Sequence, residues 1–185
     1  MEVKKLGEHG YEYSLVGLSL SKKQKDMERM KVVACNLAGK GGGHDKFLSH
    51  IDVWIIIQAP IFWWNEFDQY KLRVPDIVDM NTQSESTMHT LEKSALTQED
   101  FEYPISENYL KELNDSISKG KSIEELKNDL PQGFLQRREI KLNYMCIWNI
   151  YQQRKNHRLP QWHIFLDDLL KLLEHPEFIV KDYCK

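Results

Sequence analysis

The feature that most narrows the fold is the run Ile51 to Gln58, mostly apolar, bounded upstream by glycines and downstream by Ala59-Pro60. A short apolar run rich in β-branched residues, with turn-forming flanks, reads as a buried strand. Pro60 suits the first turn of a helix, where its missing N–H is no loss. Phe62, Trp63, Trp64, Phe67 and Tyr70 then recur at helical spacing. Such an aromatic stripe reads as a core or subunit-interface face before it reads as a base-stacking platform. A strand that must be buried, leading directly into an aromatic helix, calls for an α/β-mixed domain with a hydrophobic core of its own.

The chain can supply that core. Its 185 residues, 41% hydrophobic and 29% charged, suit one domain over 1–185 without help from disulfides or metal. The net charge of -3 argues against a protein that coats nucleic acid, though not against a local basic groove. The longest apolar stretch, Val53 to Trp64 with Gln58 inside it, is too short to cross a bilayer, and Met1 to Gly10 does not resemble a signal peptide, so a cytoplasmic protein is expected. Cys35, Cys146 and Cys184 are odd in number and widely spaced, which suggests buried thiols and neither a disulfide framework nor a zinc site.

Along the rest of the chain, Tyr11 to Leu20 reads as a strand, and Ser21 as the N-cap of a helix over Lys22 to Ala38 that Gly39 ends. Gly41-Gly42-Gly43 invites comparison with phosphate-cradling loops, but Lys46 is followed by Phe47 where a Walker loop needs Ser or Thr. A hinge is the better reading. Leu72 to Ser84 reads as a long loop, and a helix could begin over Ser86 to Leu91. Glu99 to Lys119 reads as a helix stopped by Gly120. Ser122-Ile123-Glu124-Glu125 has the pattern of a capping box opening a short helix to Asn128. After the break at Leu130-Pro131, Gly133 to Leu142 reads as a strand and Tyr144 to Gln153 as a helix. Pro160 opens a last amphipathic helix, with Trp162, Phe165, Leu166, Leu169, Leu170 and Leu173 on one stripe, terminated by His175-Pro176.

Local catalytic motifs are absent: there is no serine nucleophile elbow, zincin helix, paired-cysteine signature or dinucleotide fingerprint. Polar residues against apolar surroundings stand out instead. These are His44 and His50 beside the buried strand, and Asn143, Asn149 and Arg154 along one helix, whose spacing gives them no tight common face. Basic residues also gather late in the chain, at Lys127, Arg137, Arg138, Lys141, Arg154, Lys155 and Arg158. They read equally well as a phosphate-binding surface or a solvated face.

Two segments carry a family resemblance. The first is His44-Asp45-Lys46-Phe47-Leu48-Ser49-His50-Ile51, continuing through Ala59-Pro60-Ile61-Phe62 to Gln69-Tyr70-Lys71. The second comprises Leu130-Pro131, Arg137, Asn143, Asn149 and Arg154 through Gln161-Trp162. In order and spacing they resemble the flavin-dependent thymidylate synthase (ThyX-like) family over about a third of the chain. The resemblance implies an α+β fold, a mixed sheet packed with a helical layer. It also implies a homotetramer that binds deoxyuridylate and FAD where subunits meet, with NADPH and methylenetetrahydrofolate as reductant and one-carbon donor. By the same correspondence His44, Asn143, Asn149, His157 and Lys71 stand at the flavin, and Arg154, Ser86 and Lys127 at the nucleotide. No protein nucleophile is implied, because flavin hydride attacks the pyrimidine directly.

The departures matter as much. The family's Arg-His-Arg becomes Gln69-Tyr70-Lys71, and the Leu72 to Ser84 loop is an insertion. Gln83-Ser84-Glu85-Ser86-Thr87-Met88-His89 stands for Asn-Glu-x-Ser-x-Arg-Tyr: Ser86 survives, Met88 replaces the arginine, and Ser84 the glutamate unless Glu85 takes that role. Lys127 stands where the family has an arginine, His163 where it has a glutamate, and Phe165 where it has a polar or basic residue. Each lost arginine contact removes about 1.5 to 3 kcal/mol, roughly tenfold to a hundredfold in affinity. Two readings follow. One is a diverged member acting on a pyrimidine deoxynucleotide through flavin hydride and folate one-carbon transfer. The other is an inactive nucleotide-binding or sequestering protein on the same scaffold, of the kind a phage encodes. A nucleic-acid module built on Trp63, Trp64 and the late basic cluster is weakened by Glu66 and Asp68 on the aromatic helix. The functional readings share one spatial condition: His44, Asn143, Asn149 and Arg154, from one subunit or several, must line a common cleft.

Overall fold

In strand β2 (Asp52–Pro60), Val53, Ile55, Ile57 and Ala59 are fully buried and the residues between them only half so. The alternation gives the strand one core face and one partly covered face. The structure, a computed structural model, describes residues 1–23, 26–71, 80–91 and 93–181, with the side chains of Lys71, Met88 and His89 outside that set. In chain order, β1 (Glu2–His9) and the helices α1 (Tyr11–Lys22) and α2 (Met27–Leu37) precede β2, and α3 (Ile61–Phe67) follows it. Then come β3 (Asn81–Ser84), α4 (Thr87–Thr90), α5 (Glu107–Ser118), α6 (Ile123–Asp129), β4 (Leu135–Asn143), α7 (Tyr144–Arg154) and α8 (Pro160–Leu172).

The sheet has the order β1-β2-β4-β3, and each neighbouring pair is antiparallel. The α+β class is as the resemblance implied, but the sheet is antiparallel where a mixed one was implied. Two packed helices, α1 and α2, lie between β1 and β2. They reverse the chain once more than a single crossover helix would, so β2 returns against β1.

The main core joins the inward face of β2 and β4 to α3, α7 and α8, with Trp63, Trp64, Phe67, Trp162 and Phe165 fully buried. The aromatic stripe is therefore a core face. A smaller cluster gathers Leu91, Leu96, Phe101, Leu110, Leu113 and Phe134 around α5. No helix among the described residues is long and apolar enough to cross a membrane.

Several local expectations are corrected. Tyr11 to Leu20 is helix, not strand, and the strand is β1 before it. Gly10 adopts φ +102, and a Cβ there would stand 2.0 Å from the His50 carbonyl oxygen, so only glycine lets the chain turn here. Ser14 and Ser19 then direct their hydroxyls back to the carbonyls of Tyr11 and Val16, both at 2.7 Å. The next helix starts at Met27, not Lys22, because Asp26 caps it by accepting from the Arg29 N–H at 3.2 Å. Gly39 does end that stretch: its φ is +70 and a Cβ would lie 2.5 Å from Trp148 Nε1.

Of the expected loop, 72–79 lies outside the described residues, whereas Asn81–Ser84 is an edge strand paired with β4. Its polar composition hid it, since an edge strand needs backbone pairing more than an apolar face. The helix expected from Glu99 starts only at Glu107, with Ser106 as N-cap. Pro104 disfavours helical backbone at Tyr103. The capping box at Ser122 and Glu125 is present in both directions, and Pro160 sits in the first turn of α8. Cys146 is buried, Cys35 is half-buried and neither is in a disulfide, while Cys184 lies outside the described residues.

Candidate functional site

Behind α2 the chain tightens through Gly41, Gly42 and Gly43, and Asp45 closes the turn by accepting from the Gly41 N–H at 2.9 Å. That bond takes the segment's carboxylate inside, where Asp45 is only 4% exposed. Phe47 and Leu48 anchor the following 3-10 turn, Lys46–His50, in the core, which leaves His44, Lys46 and His50 outward. With α1 they enclose a cavity of about 490 Å³ lined by residues including Tyr13, Lys22, His44, Lys46 and His50 and, among the described residues, by no carboxylate. A concave site with several cationic or protonatable groups and no acid suits an anionic ligand. Its aromatic and apolar members, Tyr13 and Phe47, add surface for a ring.

A second cluster forms where α3, α7 and α8 meet. Glu66 stands on the solvent side of α3, and its Oε2 accepts from the indole N–H of fully buried Trp162 at 2.9 Å. Arg154 Nη1 and His157 Nε2 each approach that same oxygen at 3.6 Å. The Arg154 guanidinium lies 4.8 Å from the centre of the Trp162 ring and 5.3 Å from that of Tyr70, within cation–π range of both. Its Nε is buried with no hydrogen-bond partner among the described residues. The Leu159 N–H donates to His157 Nδ1 at 3.2 Å, so Nδ1 is an acceptor and the ring proton of neutral His157 sits on Nε2, toward Glu66.

The structure thus brings Arg154 and His157 together, although the resemblance assigned one to the nucleotide and the other to the flavin. Asn143 is buried and serves as N-cap of α7, its Oδ1 accepting from the Cys146 N–H at 3.0 Å. Asn149 is half-buried further along the same helix. α7 also packs on the turn that carries His50, and Trp148 meets Gly39, but the described lining of the His44 cavity includes none of Asn143, Asn149 and Arg154, so the four do not share one cleft within this chain. Ser86 and Lys127 stand elsewhere, exposed at the start of α4 and in the last turn of α6. The Lys71 side chain lies outside the described residues.

Beside Ser86, a cavity of about 180 Å³ is lined by Gln58, Glu85, Thr87 and Arg137 among others, with Arg137 at 3.6 Å from Glu85. Arg138 donates to both carboxylate oxygens of Asp68 at 2.9 Å and lies 4.3 Å from the Trp64 ring centre. The residues that sequence reasoning undervalued are Glu66, Asp68 and Asp45. The available signal was an acid pair on an otherwise aromatic helix, which a purely packing role does not explain.

Geometry alone defines a class: an α+β scaffold with an antiparallel sheet, covered by helices that carry one cation-lined cavity and one carboxylate-centred cluster. No family model matches the sequence, and no curated protein matches it. Among solved structures, the chain superposes on the flavin dependent thymidylate synthase ThyX from Helicobacter pylori complexed with FAD and dUMP. The TM-score is 0.80 at 13% identity, covering 98% of this chain and 99% of that one. A further structure of Thymidylate Synthase X from the same organism, with FAD and dUMP, gives a TM-score of 0.78 at 14% identity, covering 98% of each chain. The fold is that of the flavin-dependent thymidylate synthases, in strongly diverged sequence.

Proposed function

We propose that this chain is a diverged flavin-dependent thymidylate synthase-like protein that holds FAD and a dUMP-like pyrimidine deoxynucleotide on that scaffold, as a homotetramer. The observation that carries the reading is the cavity at His44, whose described lining holds Lys22 and Lys46 and no carboxylate, on a fold whose solved neighbours hold FAD and dUMP. Its size falls within the range of small-molecule sites, about 300 to 1,000 Å³, and its charge suits a pyrophosphate. His44 and Lys46 would hold the anionic part of the cofactor. By the family correspondence, Asn143, Asn149 and His157 would also meet the flavin. Ser86 and Lys127 would meet the nucleotide from other parts of the assembly, Lys71 would meet the flavin, and Arg154 would face the pyrimidine. When bound, the flavin supplies hydride to the pyrimidine, methylenetetrahydrofolate the one-carbon unit and NADPH the reducing equivalents. The protein's part is binding and orientation.

A second reading, nucleotide binding without turnover, is favoured by Tyr70. At the place of the family's motif histidine it is 8% exposed and packs on Phe67 and Trp162 beneath Arg154. This position serves the core.

One experiment separates the two. The purified full chain is titrated with FAD and with dUMP, and then assayed for thymidylate formation with methylenetetrahydrofolate and NADPH. Saturable binding with product supports the first reading, and binding without product the second. Failure to take up either ligand overturns both.

A further inference from the structure

Arg154 has more donors than the protein uses. A guanidinium presents five N–H groups in a fixed fork, yet among the described residues its polar contact is a single carboxylate oxygen at 3.6 Å, and its Nε has no partner. Glu66 therefore balances the charge of Arg154 without filling its hydrogen-bonding positions. Nor is Glu66 free to turn away: Trp162, fully buried, holds the same oxygen at 2.9 Å, and His157 approaches it from the side. The side chains of Glu66 and Arg154 are 33% and 17% exposed, so a ligand arriving at the guanidinium meets a fixed negative charge at its edge.

We propose that Glu66 sets the charge class of the ligand at Arg154. The site takes an uncharged group there, the polar edge of a pyrimidine ring, and rejects a phosphate. A neutral carbonyl can use the spare N–H donors without opposing Glu66. A phosphate placed there meets like-charge repulsion in a partly desolvated setting, where screening by water is weakened. A phosphate on the same ligand must then be held by other cations. This inference rests on the reading that Arg154 faces the nucleotide, and it makes Glu66 a specificity-determining residue.

The test uses Glu66→Gln, whose amide oxygen still accepts from Trp162 while the charge is removed. Calorimetry on the full chain measures inorganic phosphate and deoxyuridine against the unaltered protein, Glu66→Gln, and Glu66→Gln combined with Arg154→Ala. Expected is a gain of about tenfold or more in phosphate affinity for Glu66→Gln, exceeding any change for deoxyuridine, and erased by Arg154→Ala. No gain in phosphate binding, or a gain that survives loss of Arg154, overturns the inference. If neither deoxyuridine nor dUMP binds any of the proteins, the nucleotide reading fails, while the phosphate comparison still decides the role of Glu66. Should Glu66→Gln fold poorly by thermal unfolding, Glu66→Ala supplies the same charge removal.

Discussion

The two cation-bearing regions of the molecule differ in what stands beside each charge. Around the His44 cavity, Lys22, His44, Lys46 and His50 share a lining that among the described residues has no carboxylate. On the side of α3, β4 and α7, the cations have acids at hand: Arg138 with Asp68, Arg137 with Glu85, Lys141 with Asp52, Arg154 with Glu66. Burial explains much of the difference. The side chains of Arg138 and Arg154 are 13% and 17% exposed, and a cation so covered is costly unless a carboxylate compensates it. His44 and Lys46 are exposed and water serves them. The late basic cluster, which reads in sequence as a phosphate surface or a solvated face, is thus in large part a set of internal ion pairs. Among the described residues Lys22 and Lys46 at the cavity make no ion pair, and neither do the exposed Lys127, Lys155 and Arg158.

The division can be broken most directly at Arg138. If the paired cations are structural, Arg138→Ala loses both bonds to Asp68 and the stack on Trp64. Allowing for the partial exposure of Asp68, it should destabilise the fold by about 1.5 to 2 kcal/mol, read as a lower urea midpoint, with FAD binding unchanged. A change in FAD affinity with unaltered stability would reverse the assignment.

A smaller effect is expected at Tyr144, which extends the comparison to a carboxylate shared between a cation, Lys5, and a neutral hydroxyl. Tyr144 is fully buried, its hydroxyl donates to Glu8, and the His175 N–H donates to it at 3.1 Å. Burial first, and then the neighbouring Glu8 carboxylate, push its pKa above the ordinary phenol value. A folded-state pKa above the unfolded one means that the contribution is fully present below about pH 10 and is lost as pH rises beyond it. Tyr144→Phe should cost about 1 kcal/mol at neutral pH and flatten the loss of stability on the alkaline side. Urea midpoints measured across that range check both parts, and an alkaline limb that persists in the variant would assign it to other groups.

How much was legible depended on whether the deciding contact was local. The aromatic stripe of α3, the capping box at Ser122 and the proline start of α8 are each specified within a few residues, and each stands as expected. The strand β1 and the helix α1 were not legible. The turn between them is set by Gly10 against the carbonyl of His50, a contact between distant parts of the sequence. Tyr, Val and Leu in Tyr11 to Leu20 fit strand and helix alike until that contact is known. The site shows the same split. His44 and Arg154 were recognisable as candidates by type and spacing. That Arg154 lies beside Glu66 while His44 borders a cavity without acids depends on which helices meet, and a linear pattern does not carry that.

The smallest expected change in stability gives the sharpest test of the comparison. His44→Ala and Lys46→Ala remove exposed side chains that make no ion pair among the described residues, so each should shift stability by no more than about 0.5 kcal/mol. If the cavity they border receives the anionic part of a flavin, each should nevertheless weaken FAD by about tenfold, the effect of losing one charge-assisted contact. Fluorescence titration beside urea unfolding separates the two quantities in one preparation. Substitutions that leave both FAD affinity and stability untouched would show that unmatched charge at this cavity is merely solvated, and the distinction between the two regions would then be one of burial alone.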